Sequence, residues 1–330
     1  MLLIKFEDYD IKNQIREDKL GFLFEAIEKQ TGKLVEFRVF DFYYFFDSNI
    51  PFFQRTIDKV CQLNLPGLVK IHGYRLPLTE EEEKQYETNP QMKEIHKRFP
   101  NPRAHFGSCI LVTDFEKCHQ LDELTVKYLK NQGQGSILNS TIRSKIIFGI
   151  ASIMKRAHKH DLIHSDLNLS YIYLDEKFEP KIANFGSVQT AINSMHSPNQ
   201  ATGCGYKFTL FIFPDKTDDL DDLDDYEDYW LTKEYDVLLF GLLVFQMFET
   251  YLNNFRRSVM RGKTPQRPES FESDSYWDLI VRCVRKNPNE RPSFAEIVEN
   301  LKNDQFAIEE FGMKTDLNDL HEYQERIDSD

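Results

Sequence analysis

The chain has 330 residues, 41% of them hydrophobic and 29% charged, enough apolar mass for a sizeable core inside a well-solvated surface. Its formal net charge of −13 disfavours nucleic acid and anionic membrane as partners. Five scattered cysteines (Cys61, Cys109, Cys118, Cys204 and Cys283) show no metal spacing and an odd count, so they read as reduced thiols of a cytoplasmic protein.

The N-terminus lacks the basic and apolar stretches of a signal peptide. Ile15 to Ile27 alternates loosely, Gln30–Lys33 makes a turn, and Leu34 to Phe40 is a second apolar run, together an antiparallel hairpin. Phe52 to Leu63 has helical spacing, Pro66-Gly67 ends it, and Leu68 to His72 is a further strand. Residues 79–103 open on an acidic run and carry three prolines, which predicts a solvated insertion or a short exposed helix rather than core. Ser108 to Phe115 returns to strand.

Beyond this point the pattern is helical. Thr141 to His160 places Ile142, Ile146, Ile150 and Ile153 on one stripe. Glu234 to Glu249 is apolar nearly all round, so it is a buried helix. Its apolar core from Val237 is too short to span a bilayer, which takes about 20 residues. Ser275–Val284 and Ser293–Leu301 are amphipathic, and Ser293 with Glu296 forms a capping box. Between these helices the run 214–229 is dense in aspartate and reads as a solvated loop, or as a docking patch for a basic partner. Residues 303–330 read as a polar, acidic tail, a weakly held helix or coil. A sheet-rich part followed without a linker by a helical part is an α+β unit with two lobes.

Three ordered stretches, His164-Ser165-Asp166-Leu167, Tyr171–Leu174 and Lys181–Gly186, resemble the catalytic and magnesium loops of protein kinases, with Asp166 and Asn184 at the family spacing. Further matches occur in order. Ile15–Leu23 resembles the glycine-rich loop, Val35–Arg38 the lysine strand and Leu111–Phe115 the gatekeeper and hinge. Phe211–Asp215 is similar to the Ala-Pro-Glu segment, and Arg282-Cys283 with Asn287–Pro292 is the most specific match. The resemblance implies one protein-kinase-like domain over about 10–302: an N-lobe at 1–113 with a small antiparallel sheet and one regulatory helix, a hinge at 114–118, and a larger helical C-lobe at 119–302.

Phosphoryl transfer depends on positioning and on neutralising phosphate charge. The positions matching the family's nucleotide site are Gly21, Arg38, Thr113, Asp114, Glu116 and Asn184, and the candidate base is Asp166. Arg16 and Asp18 replace two loop glycines; Arg38 replaces the lysine, and Thr56 its glutamate partner. Tyr171 and Asn184 replace the two metal ligands, so no metal is expected; ATP without metal is the cofactor alternative to none. Ser165 and Asn168 stand where the catalytic loop has Arg and Lys. Glu36 and Tyr173 fill the roof and floor of the adenine position, and a buried Glu36 costs several kcal/mol unless it turns outward or pairs with Arg38. The packing residues His164 and Phe185 persist, Asp236 can anchor the catalytic loop, and Asp215 can pair with Arg291.

The resemblance with these losses implies a pseudokinase, a scaffold or allosteric module for other proteins. Its expected partners are an active kinase, or a basic partner at the acidic loop 215–228. The alternative is a weakly active Ser/Thr-type kinase using Asp166 as base and Arg38 as phosphate ligand.

Overall fold

Apolar residues on alternate positions bring five short strands of the first 114 residues into one antiparallel sheet, in which the fifth strand of the chain lies between the third and the fourth. The computed structural model describes residues 3–18, 20–40, 50–100, 106–115, 119–185, 232–249, 252–260 and 262–328. Contacts divide the chain into two units: residues 1–64 and 69–117 belong to the first, residues 65–68 and most of those after 117 to the second.

In the first unit, β1 (Tyr9–Asp18) pairs with β2 (Gly21–Glu28) down to Asp18 opposite Gly21. The expected single run Ile15–Ile27 is therefore two strands, because the chain has reversed by Gly21, which pairs with Asp18 and takes a φ of 135° that a side chain would resist. Next come β3 (Leu34–Phe40), α1 (Ile50–Leu63) and β4 (Ile71–Arg75). The fourth strand begins three residues later than Leu68, which makes only an isolated bridge to Ile182 within the second unit.

The acidic insertion is not solvated throughout. It forms α2 (Glu80–Thr88) and α3 (Pro90–Arg98), which lead to β5 (Ile110–Asp114). Thr79 and Glu82 close a reciprocal capping box at the start of α2, and Pro90 occupies the first turn of α3, where a missing N–H costs nothing. Tyr86, Met92 and Ile95 are buried against Phe22, Phe24, Phe37 and Val39 on one face of the sheet. Burial of each such side chain stabilises by about 1.5–3 kcal/mol, enough to hold two nine-residue helices that charge alone would leave in water. Arg98 fastens α3 by donating to the Ile11 carbonyl of β1 at 3.0 Å. On the other sheet face Phe53 of α1 meets Phe40 and Tyr74 edge-on.

The second unit carries β6 (His119–Gln120), α4 (Leu121–Lys130) and α5 (Ser140–Lys159), the last capped by Asn139. A 3-10 turn at Leu169–Tyr171 leads to β7 (Ile172–Leu174) and β8 (Pro180–Ile182), which join β6 in a small sheet. Then follow α6 (Lys233–Phe248), α7 (Leu252–Met260), α8 (Asp274–Cys283) and α9 (Phe294–Leu301). The α6 helix is buried on nearly every side, and the Ser293–Glu296 capping box opens α9, both as the sequence predicts.

Residues 303–328 are not a loose tail. They form a hairpin of β9 (Glu309–Glu310) and β10 (Met313–Lys314), then α10 (Leu317–Asp328), which packs along α5. Gly149 makes this approach possible, since a Cβ there would collide with the Tyr323 hydroxyl and Pro180. The Arg143 guanidinium, wholly buried, lies between the Tyr128 and Phe248 rings and binds the Glu310 carboxylate and the Met247 carbonyl. Asp328 pairs with both Lys155 and Lys302 at 2.6 Å. The acidic composition of this segment misled because its carboxylates meet cations of α5 and of the residues after α9.

Cys109 and Cys283 are buried and Cys61 is half-buried; burial raises all three thiols, Cys61 to about 11 and Cys283 to about 12. Cys118 and Cys204 lie outside the described residues.

Candidate functional site

In the second unit a buried carboxylate organises the loop between α5 and β7. Asp236, on the first turn of α6, accepts the backbone N–H groups of His164 at 2.8 Å and Ser165 at 2.7 Å. It also accepts from His158 Nε2 at 2.9 Å. These bonds hold Ser165 at a φ of 66°, a conformation that a residue with a Cβ resists. The loop anchor expected of Asp236 is therefore present; its third partner, His158, has no counterpart in the sequence reading.

The His164 ring bonds the Ala183 carbonyl through Nε2 at 2.8 Å and meets Phe185 edge-on at 4.7 Å. The Tyr171 ring, 3% exposed, stacks on the His164 ring with centroids 6.5 Å apart. Asn168 ties the loop together, donating to the Asp166 carbonyl at 2.8 Å and accepting from Ser170 N–H. Ser170 in turn donates to Asp122 at 2.8 Å. The substituted loop thus has its own internal bonding, with Asn168 serving as a turn cap where a cation would project.

Asp166 is 9% exposed, and its backbone N–H is directed at His164 Nδ1 at 3.2 Å. Its negative charge acts on Arg256 of α7, whose guanidinium is pushed below its ordinary value by burial and partly restored by Tyr235 and Asp166. Sequence reasoning missed Arg256 because no motif covers α7. Asn184 sits at a φ of 66°, which asparagine tolerates. Its Nδ2 is buried with no hydrogen-bond partner among the described residues. The two positions that match the family's metal ligands hold a phenol inside the core and a neutral amide; such a set does not match a hard divalent cation, which takes carboxylate and water oxygens.

The first unit carries the remaining candidates. Gly21 closes the β1–β2 hairpin. Arg38 and Glu36 lie two residues apart on β3 and so share a face, opposite Leu111 and Thr113 of β5. Both are buried, at 4% and 8% exposure, so neither turns out to solvent. Arg38 lies 6.0 Å from the Phe40 ring centroid. Thr56, on α1, is half-exposed.

Asp114 is engaged by Lys33 Nζ at 2.5 Å and His72 Nε2 at 2.6 Å. Its N–H donates to Lys70 at 2.9 Å. Burial pushes this carboxyl up, but the Lys33 and His72 bonds outweigh it and hold the group below its ordinary value. A depressed carboxyl contributes stability that is full above its unfolded value, about 3.9, and is lost as pH falls through the lower folded value. Between pH 5 and 3 the native chain should lose slightly more melting temperature than Asp114→Asn, by less than ~1 kcal/mol because the group is partly solvated. Thermal melts across that range check this.

Glu116, Phe211–Asp215 and the acidic run 215–228 lie outside the described residues. Arg291, the expected partner of Asp215, donates to the carbonyls of Arg285 and Glu234, both at 2.9 Å, and so fastens the loop before α9 to the start of α6.

A family model described as protein tyrosine and serine/threonine kinase matches residues 104–301. The RGS domain-containing serine/threonine-protein kinase A of Dictyostelium discoideum is 26% identical over 57% of this chain and 16% of its own length. The dual specificity protein kinase pyk3 of the same organism is 26% identical over 63% of this chain and 15% of its own. Human tyrosine-protein kinase Srms is 26% identical over 46% of this chain and 30% of its own. The chain therefore spans well under half the length of these curated relatives.

Proposed function

The chain belongs to the protein tyrosine and serine/threonine kinase family, and from that membership we propose that it is a pseudokinase, a cytoplasmic scaffold or allosteric module with little or no phosphoryl transfer. The observation that supports this reading is the donor set of the catalytic loop. Tyr171 is buried and committed to the His164 stack, and Asn184 offers an amide in place of a carboxylate. Neither supplies the charge that holds magnesium against phosphates. Arg38 and Glu36 add to the argument, since the cation at the lysine position is buried on the same face of β3 as a buried carboxylate, which repels phosphate. Among the described residues no helix is long and apolar enough to cross a membrane.

Thermal melts with ATP, alone and with Mg²⁺ or Mn²⁺, test the proposal. A ligand at a hundredfold excess over its Kd stabilises by about 2.7 kcal/mol. The expected metal-dependent rise is zero; a rise of several degrees that needs the metal would sink the reading. Stabilisation by ATP alone would identify a metal-free nucleotide-binding module.

One observation favours a second reading. Asp166 remains in a loop anchored by Asp236 and Asn168, so a residual transfer using Asp166 as base is the alternative. Radiolabel transfer from ATP to a protein acceptor, abolished by Asp166→Ala, would establish it.

A further inference from the structure

A cavity of about 540 Å³ opens in the second unit between the segment after α7 and the turn after α8. Its lining combines two chemistries. Pro265 and Val284 are buried and, with Val281, give it an apolar floor. Lys263, Arg285 and Lys286 are exposed around that floor, and the lining holds one carboxylate, Glu290. That carboxylate is already held, by Asn287 at 3.0 Å and by Arg285 at 4.0 Å. The ammonium groups of Lys263 and Lys286 have no ion-pair partner among the described residues. Both lysines belong to one corner of the rim. Gly262 has a φ of 63°, and a Cβ there would lie 2.8 Å from Lys286 Cδ, so the Lys286 stem runs against the residue that precedes Lys263.

Uncompensated ammonium groups gathered on one rim repel each other, and an anion bound between them relieves that repulsion. Their convergence at Gly262 suits one multiply charged group better than carboxylates spaced along a peptide. A phosphate monoester is such a group: it carries about −1.5 to −2 at pH 7 and offers three acceptor oxygens to lysine and arginine donors. The floor adds a second requirement, since Pro265, Val281 and Val284 present carbon surface that inorganic phosphate cannot cover. The volume falls within the roughly 300–1,000 Å³ of pockets that take small molecules. We propose that this cavity binds a small organic phosphate, its phosphoryl group between Lys263 and Lys286 with Arg285 beside it, and its apolar body on Pro265, Val281 and Val284. The net charge of −13 opposes unspecific capture of the same anion elsewhere on the chain. The site shares no residue with the catalytic loop and stands whether or not the protein transfers phosphate.

Isothermal titration calorimetry of the full chain with naphthyl phosphate tests the assignment. The chain should bind this probe at least ~10-fold more tightly than inorganic phosphate, which lacks the apolar body, and ~5-fold more tightly than naphthalenesulfonate, which carries a single charge. Lys263→Glu/Lys286→Glu should weaken naphthyl phosphate at least ~10-fold, whereas Lys127→Glu/Lys130→Glu, the same charge change on α4, should leave its affinity within about twofold. All four lysines are exposed, so the fold is retained in both variants, which the melting temperature verifies. Equal losses in the two double variants overturn the proposal, as does naphthyl phosphate binding no more tightly than either comparison anion. Absence of binding at ~10 mM probe overturns it too. So does a phosphoserine peptide that binds ~10-fold more tightly than naphthyl phosphate and is lost in Lys263→Glu/Lys286→Glu, which would make the surface a docking site for phosphoproteins.

Discussion

Asp236→Ala is expected to destabilise the second unit by about 3–5 kcal/mol, or to leave the protein insoluble. The carboxylate is wholly buried and accepts three hydrogen bonds, from two backbone N–H groups and from His158. Its removal strands those donors without solvent, at about 1–3 kcal/mol each before relaxation. Ser165 would also lose the bond that holds its left-handed backbone. Asp236→Asn keeps one acceptor oxygen and should cost about half as much. Urea denaturation followed by far-UV circular dichroism measures both, and a loss under 1 kcal/mol for the alanine variant would mean that the loop is held by something else.

The second large effect concerns Arg143. Arg143→Ala should cost about 3–5 kcal/mol, because it empties a slot between two rings and leaves the Glu310 carboxylate without its cation. Burial already pushes Glu310 above its ordinary value, against the pull of Arg143; without the guanidinium it would be neutral at higher pH still. Arg143→Met paired with Glu310→Leu should recover much of the loss, since an apolar pair of similar volume can replace a buried ion pair. A double-mutant cycle, with protease release of residues 303–330 as a second readout, separates the pair from general damage. Equal losses in the single and double variants would show that packing, not charge, sets the cost.

Much of the second unit was legible in the sequence. The helices α5, α6, α8 and α9 announce themselves through apolar periodicity or a capping box, and both are local signals. The anchoring role of Asp236 was legible through the ordered motifs around it. What stayed hidden depends on contacts far apart in the chain. His158 reaches Asp236 across 78 positions, and Arg143 meets Glu310 across 167. An arginine inside a helix reads as surface until the segment that covers it is known. The insertion failed for a related reason: its buried residues, Tyr86, Met92 and Ile95, are few and interrupted by Pro90, while four consecutive glutamates dominate the count. Glu36 was the opposite case, a charge legible as costly whose cost the fold accepts by burying it on the same strand face as Arg38.

The helix pair α2–α3 changes what an approaching molecule meets. The rings of Phe22, Phe24 and Phe37 are roofed over, and the first turn of the roof presents Glu80, Glu81, Glu82 and Glu83. Contact from that direction is an encounter with anionic charge, weakened by ionic strength, in place of adhesion to grease. Excising the hairpin of helices would reverse this: a sticky aromatic patch would face the solvent, and self-association would follow from the same residues that now give the sheet its interior.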